Sequence, residues 1–194
     1  MSKKSSRKRT LQSKSFSNLF KWSLPIALIL AALGIWFGLR SPLQPSSSTV
    51  QSGVNVGNVA PDFTVPTLEG GTFVLSENRG KPTIILFMAY WCGNCIPEAR
   101  ALAQLKNEYG EQVNIIAIDV DSSSTKESLE QFQQAADNGA YVWAFDNGMQ
   151  VLNAYQVRSL DTTLILDKNG IVVYRDELPT AYETLKSELE ELQP

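Results

Sequence analysis

Apolar residues along this chain follow three different rhythms. From Ser23 to Leu39 the run SLPIALILAALGIWFGL continues for 17 residues without a charge. Thr83–Met88 (TIILFM) and Val113–Ile118 (VNIIAI) are short apolar runs of strand length, which predicts strands buried on both faces. Ala99, Leu102, Ala103 and Leu105 instead recur at helical spacing, within a helix predicted over about Asn94–Tyr109. Shorter segments complete the series. Phe73–Leu75 and Tyr141–Phe145 read as strands, and Met149–Tyr155 as a short helix. Hydroxyl-rich Ser122–Thr125 caps a helix running from about Lys126 to Asp137. Thr162–Leu166 and Ile171–Tyr174 flank Asp167-Lys168-Asn169-Gly170, whose Asn-Gly marks a hairpin turn. A charged amphipathic helix over Thr180–Leu192 closes the series. Strands alternating with helices, then a hairpin and a last helix, predict an α/β domain with a mixed central sheet and helices on both faces.

The 17-residue run changes the picture of the whole chain. As a helix it is about 26 Å long, close to the roughly 30 Å hydrocarbon layer, with Trp22 and Trp36 towards its two ends. Seven basic residues precede it, and Arg40 alone follows closely. That asymmetry predicts an uncleaved, single-pass signal-anchor with the N-terminus in the cytoplasm and the remainder extracytoplasmic. No small-x-small cleavage site and no cysteine for lipidation follow Leu39. Gly34 and Gly38 form GxxxG, a spacing that allows close helix–helix approach and a weak dimer. Four regions result: a basic cytoplasmic tail over 1–22, the transmembrane segment over 23–39, a flexible Ser/Pro-rich linker over 40–55, and a folded domain over 56–194. The linker reaches roughly 20 Å, which tethers the domain without fixing its orientation.

Charge divides along the same line. Residues 1–40 carry eight of the 17 bases and none of the 20 acids, so the remainder has nine bases against 20 acids, a formal −11. A body this acidic has no basic patch for nucleic acid.

Candidate chemistry centres on Trp91-Cys92-Gly93-Asn94-Cys95, which holds the two cysteines of the chain. The pair sits where a strand turns into a helix N-terminus, and the free amides and helix dipole there stabilise a thiolate. This is the arrangement of a dithiol–disulfide exchanger. As an inert staple the short loop would contribute only about 2 kcal/mol. A zinc site would need two more ligands, and the chain has no other cysteine and no histidine. The expectation is therefore a redox pair, with neither a metal nor a cofactor.

The body resembles the membrane-anchored thioredoxin-like thiol–disulfide oxidoreductases of the TlpA/ResA-like family, which serve cytochrome c maturation and related exported-protein tasks. The resemblance rests on Gly57-Asn58-Val59-Ala60-Pro61-Asp62-Phe63, on Leu75-Ser76 with Gly80-Lys81-Pro82, on WCGNC with Glu98, and on Thr162–Gly170. It implies a thioredoxin-like fold, with Cys92 as the exposed attacking thiol, Cys95 as the buried resolving thiol and Cys92–Cys95 as a redox-active disulfide. It also implies exported protein disulfides, such as those of apocytochrome c, as substrates, and a membrane thiol carrier as electron donor. Glu98 matches an acidic position near the family's active site, where a partly buried carboxylate accepts the Cys95 proton. Trp91 is expected to shield the disulfide and face substrate. Pro97, which cannot donate in a helix ladder, is expected to distort the first turns.

One departure stands out. The family places a cis-proline just before the strand that is here Thr162–Leu166, and this chain has Asp161. A non-proline cis bond costs roughly 3–4 kcal/mol, so the loop is expected to run trans or rearrange. The substrate-pairing edge and the screening of the thiols from metal are the two family properties this affects. Asp161 either faces Cys92, where its charge disfavours the thiolate and makes the dithiol a stronger reductant, or caps a loop towards solvent. Other functions on this fold fit less well. A thiol oxidant or isomerase uses the same pair. A peroxidase motif PxxxTxxC would need proline and threonine where Ile85 and Ala89 stand. Metal-delivery relatives use CxxxC with a distal histidine, and both are missing. Metal bridged between the thiols of two chains is the one route left open by the lost proline.

Overall fold

The computed structural model describes residues 51–192. The predicted basic tail, the membrane segment with Gly34 and Gly38, and linker residues 40–50 lie outside the described residues. Among the described residues no helix is long and apolar enough to cross a membrane.

The two strand-length apolar runs form the centre of the sheet. A short antiparallel pair, β1 (Thr64–Pro66) and β2 (Thr72–Val74), precedes it. Five strands follow: β3 (Thr83–Met88), β4 (Asn114–Asp119), β5 (Val142–Phe145), β6 (Thr162–Leu166) and β7 (Val172–Asp176), ordered β5-β4-β3-β6-β7. β4 lies parallel to β3 and β5 parallel to β4, whereas β6 runs antiparallel to both β3 and β7. The helices are α1 (Ile96–Tyr109), α2 (Lys126–Ala135), α3 (Gln150–Ala154) and α4 (Tyr182–Glu191).

Alternation along the central strands divides the core. Ile84, Leu86 and Met88 of β3 join Leu102 and Leu105 of α1, Leu129 and Phe132 of α2, and Leu185 and Leu189 of α4. Ile85 and Phe87 join the second cluster with Phe63, Val65, Phe73, Val151 and Tyr155. Helices thus cover both faces, but unequally. The chain steps β3-α1-β4-α2-β5 in one direction, and right-handed crossovers place both helices on one face. The short α3, on the return to β6, shares the other face with the β1–β2 pair.

The opening segment behind the family resemblance packs on this second face, while the cysteines lie in the first cluster. Asp62 Oδ1 accepts from the Phe63 and Ser76 amides at 3.0 and 2.9 Å. Phe63 stacks on Phe73 and meets the edge of Tyr155, whose hydroxyl donates to the Pro61 carbonyl at 2.7 Å. Gly170 adopts φ +83° and closes the β6–β7 hairpin, a conformation without steric cost for glycine.

Several boundaries move for local reasons. β1, ending at Pro66, has no counterpart in the predicted elements. Three residues ending at a proline give too short a period to read. The β2 strand stops at Val74 because Leu75–Asn78 winds into a 3-10 turn. α2 carries the predicted cap, with Thr125 and Ser128 forming a reciprocal capping box, but stops at Ala135. Asp137 and Asn138 both take positive φ and end the helical path. Within the stretch read as linker, residues 51–55 already pack. Ser52 bridges Val59 and Val54 is buried.

Candidate active site

Met88 ends β3 beside Asp119, its register partner at the end of β4. β3 and β4 stop here together, and the cysteine loop starts from this edge of the sheet. The Cys92 amide donates to the Ala89 carbonyl at 2.8 Å, and the Cys95 amide to that of Cys92 at 3.1 Å. Gly93–Cys95 is a 3-10 turn, and α1 begins at Ile96 rather than at Asn94. Pro97 falls in the first turn of α1, where its missing amide hydrogen leaves no helix bond unmade. The helix runs regularly from Ile96 to Tyr109, so the distortion expected from Pro97 does not arise.

Cys92 and Cys95 are joined as a disulfide, with Cα atoms 5.4 Å apart. Cys92 retains 8% of its surface and Cys95 none. The order matches expectation, but Cys92 is more covered than an exposed attacker was expected to be. Trp91 beside it is 60% exposed and packs on nothing that would make it core. Its Nε1–H donates to Asp121 Oδ2 at 2.7 Å.

Asp119 ties this loop to the sheet. Its Oδ2 accepts from the Tyr90 amide at 3.2 Å and from Ser124 Oγ at 2.5 Å, and its Oδ1 from the Asp121 amide at 3.0 Å. Burial pushes its carboxyl above the ordinary aspartate range, while these bonds pull it back.

Glu98 lies on the first turn of α1 and is only 2% exposed. Thr163 Oγ1 donates to its Oε1 at 2.5 Å and the Thr180 amide to its Oε2 at 2.9 Å. Burial dominates and pushes its pKa up to about 7, against the lowering from Thr163 and Thr180, with smaller Coulombic additions from Asp161 and Asp176. A group half ionised near neutrality can take up and release protons at little cost.

Asp161 faces the cysteines and not the solvent. Its amide donates to the Phe87 carbonyl at 3.0 Å, extending the β3–β6 ladder by one residue. The backbone there takes φ +62°, and no peptide bond among the described residues is cis. Asp161 is 3% exposed, and a carboxylate oxygen lies within 4.8 Å of both cysteine sulfurs. Its Oδ1 is buried with no hydrogen-bond partner. Burial alone raises its pKa from the ordinary value.

Residues 56–175 match the model of the AhpC/TSA family. The chain belongs to the AhpC/TSA family. Within it, the chain is 34% identical to the thiol-disulfide oxidoreductase ResA of Geobacillus thermodenitrificans over 170 residues, covering 87% of this chain and 92% of that protein. It is 31% identical to the thioredoxin-like protein YneN of Bacillus subtilis, covering 79% and 88%. Among solved structures, a putative thiol:disulfide interchange protein DsbE from Chlorobium tepidum superposes with a TM-score of 0.64 at 24% identity, covering 72% of this chain and 99% of that one. That last likeness carries the fold alone. The family member described here is a thioredoxin-like thiol–disulfide oxidoreductase with a redox-active Cys92–Cys95 disulfide.

The structure brings Cys92, Cys95 and Asp161 together, sets Glu98 one turn beyond Cys95, and leaves Trp91 on the rim. Four supporting residues were not legible beforehand: Asp119, Asp121, Thr163 and Thr180. Asp119 had a usable signal, as the acidic residue ending a buried parallel strand next to the one that carries the cysteines. The two threonines had none, because their roles depend on contacts 65 and 82 residues away in sequence.

Proposed function

We propose that this oxidoreductase works outside the cytoplasm, tethered by its N-terminal segment, and reduces disulfides in exported proteins such as apocytochrome c. The observation that carries this reading is the Cys92–Cys95 disulfide at a helix entry, with the buried Glu98 carboxyl one turn beyond Cys95. In the forward reaction the Cys92 thiolate attacks one sulfur of the substrate disulfide and displaces the other as a thiolate. Glu98 accepts the Cys95 proton. The Cys95 thiolate then attacks Cys92 Sγ, releases the second substrate thiolate and closes the disulfide found here. Two electrons pass to the substrate, and a membrane thiol carrier restores the dithiol. Asp161 favours the reductive direction, because a carboxylate beside the sulfurs disfavours a thiolate and weakens the hold on the reduced state.

The anchored, extracytoplasmic location is supported by the uncharged run over 23–39 and the basic residues before it. Trp91 is assigned to substrate contact, since an indole this exposed beside the disulfide offers a flat apolar surface. The test is Cys95→Ser, which stalls the reaction at the mixed disulfide. Exported proteins should accumulate as adducts on Cys92, resolved by mass spectrometry after non-reducing separation. Adducts with small thiols alone would overturn the protein-reductase reading.

A further inference from the structure

The unmet oxygen of Asp161 is the least explained polar atom of the site. A carboxylate buried to this degree normally has a donor or a cation beside it. Here the nearest chemistry is sulfur. Cys92 Sγ, Cys95 Sγ and a carboxylate oxygen of Asp161 lie within 4.8 Å of one another, and all three residues are buried. Donors around a tetrahedral zinc ion, at about 2.3 Å for sulfur and 2.0–2.2 Å for oxygen, stand roughly 3.5–3.8 Å apart. Reaching that arrangement needs the carboxylate oxygen to close by up to about 1 Å, and the two sulfurs, bonded to each other here, to separate once the disulfide is reduced.

We propose that the reduced protein holds a thiophilic divalent cation of zinc's class between Cys92, Cys95 and Asp161, with the fourth position open.

The donor set selects the ion. Two thiolates exclude hard cations such as magnesium and calcium, and an added carboxylate favours zinc over copper(I), which prefers soft donors. Two C-x-x-C sulfurs alone fall short of a site. The third ligand comes from the residue that stands where the family has proline, and proline offers no donor atom. The site is intramolecular and needs no bridge between two chains.

The balance is simple. A dithiol reductant gives two electrons to the Cys92–Cys95 disulfide and becomes a disulfide itself. Each cysteine then loses its thiol proton to solvent as its sulfur bonds the metal, so that binding releases protons and weakens as pH falls. Metal occupancy and disulfide exchange exclude each other, since both use the same sulfurs. The inference needs only a reducible disulfide, and it stands or falls separately from the choice of protein substrate.

The test uses the full-length chain, reduced with dithiothreitol, desalted without oxygen and titrated with Zn2+ against a chromophoric chelator. One ion should bind per chain, and the oxidised chain should bind none. Asp161→Asn suits the positive φ, because asparagine tolerates left-handed backbone. It should weaken binding about tenfold or more. Binding within twofold of the parent in that variant, one ion per two chains, or no binding at all would overturn the inference. Should the variant fail to fold, Co2+ on the parent decides. Tetrahedral d–d bands with the charge-transfer intensity of two thiolates support the site, and the intensity of four thiolates overturns it.

Discussion

The Glu98 carboxyl carries a quantitative consequence for stability. Its pKa in the folded protein is about 7, against 4.5 for the ordinary group. Between those values the folded protein binds a proton that the unfolded chain has released, so stability falls as pH rises through the window. The contribution is complete below about pH 4.5 and is lost by the time pH passes 7. A difference of 2.5 units corresponds to about 3 kcal/mol, of which about 2 kcal/mol is lost by pH 6. Replacing Glu98 with glutamine removes the titration and keeps the bonds. The amide oxygen accepts from the Thr180 amide and the amide nitrogen donates to Thr163 Oγ1, the pattern of the protonated acid. Urea unfolding of the oxidised protein from pH 4.5 to 8.5 measures this. Asp119 and Asp161 are also raised by burial, so the quantity to read is parent minus variant at each pH. Glu98→Gln should match the parent near pH 4.5 and exceed it by about 3 kcal/mol near pH 8. Parallel pH profiles for the two proteins would refute the argument.

Asp161→Asn should lower the Cys92 thiol pKa, by removing a charge within 5 Å of the sulfur. Its reduction potential, measured against dithiothreitol buffers, should then become less negative; no change, or a more negative value, contradicts the assigned role. In Trp91→Ala, KM for a protein disulfide should rise several-fold while KM for a small aromatic disulfide holds, and the melting temperature should stay near that of the parent because the indole is exposed. Equal effects on both substrates would place Trp91 in the chemistry instead. Asp119→Ala strands two backbone amides and the Ser124 hydroxyl and should cost about 2–4 kcal/mol in urea unfolding. A loss below about 0.5 kcal/mol would show that the loop is held by other contacts.

The central sheet was readable because its signals are local and strong. Thr83–Met88 and Thr162–Leu166 were delimited to the residue, since continuous apolar runs bounded by polar turns have few alternatives. The cysteine pair was readable for a different reason, two thiols at fixed short spacing where a strand turns into a helix, and Glu98 only through the family resemblance. What the sequence could not carry is conformation set from a distance. Asp161 looked equally suited to solvent or to the thiols. Its orientation follows from the amide bond to Phe87 and the left-handed backbone that accompanies it, neither of which has a sequence signature. The same two facts make Asp161→Pro a poor probe. Proline has no amide hydrogen for Phe87 and holds φ near −65°, so restoring the family residue rebuilds the loop as well as removing the charge.

The two buried acids of the site are provided for unequally. Glu98 has a donor on each oxygen, so burial raises its pKa only to the point where either ionisation state is accessible. Asp161 is buried as deeply, with one oxygen unpartnered, and its charge has no local compensation while the disulfide is closed. The Asp161 charge also adds to the upward shift of Glu98. The Glu98 pKa, on which the proposed proton transfer depends, is thus raised in part by the residue that stands where the family has proline. Effects of Asp161→Asn and Glu98→Gln on the stability profile should not add, because the first substitution lowers the pKa that the second abolishes. A relative with proline at this position would have to hold its glutamate near neutrality by burial and the Asp176 charge.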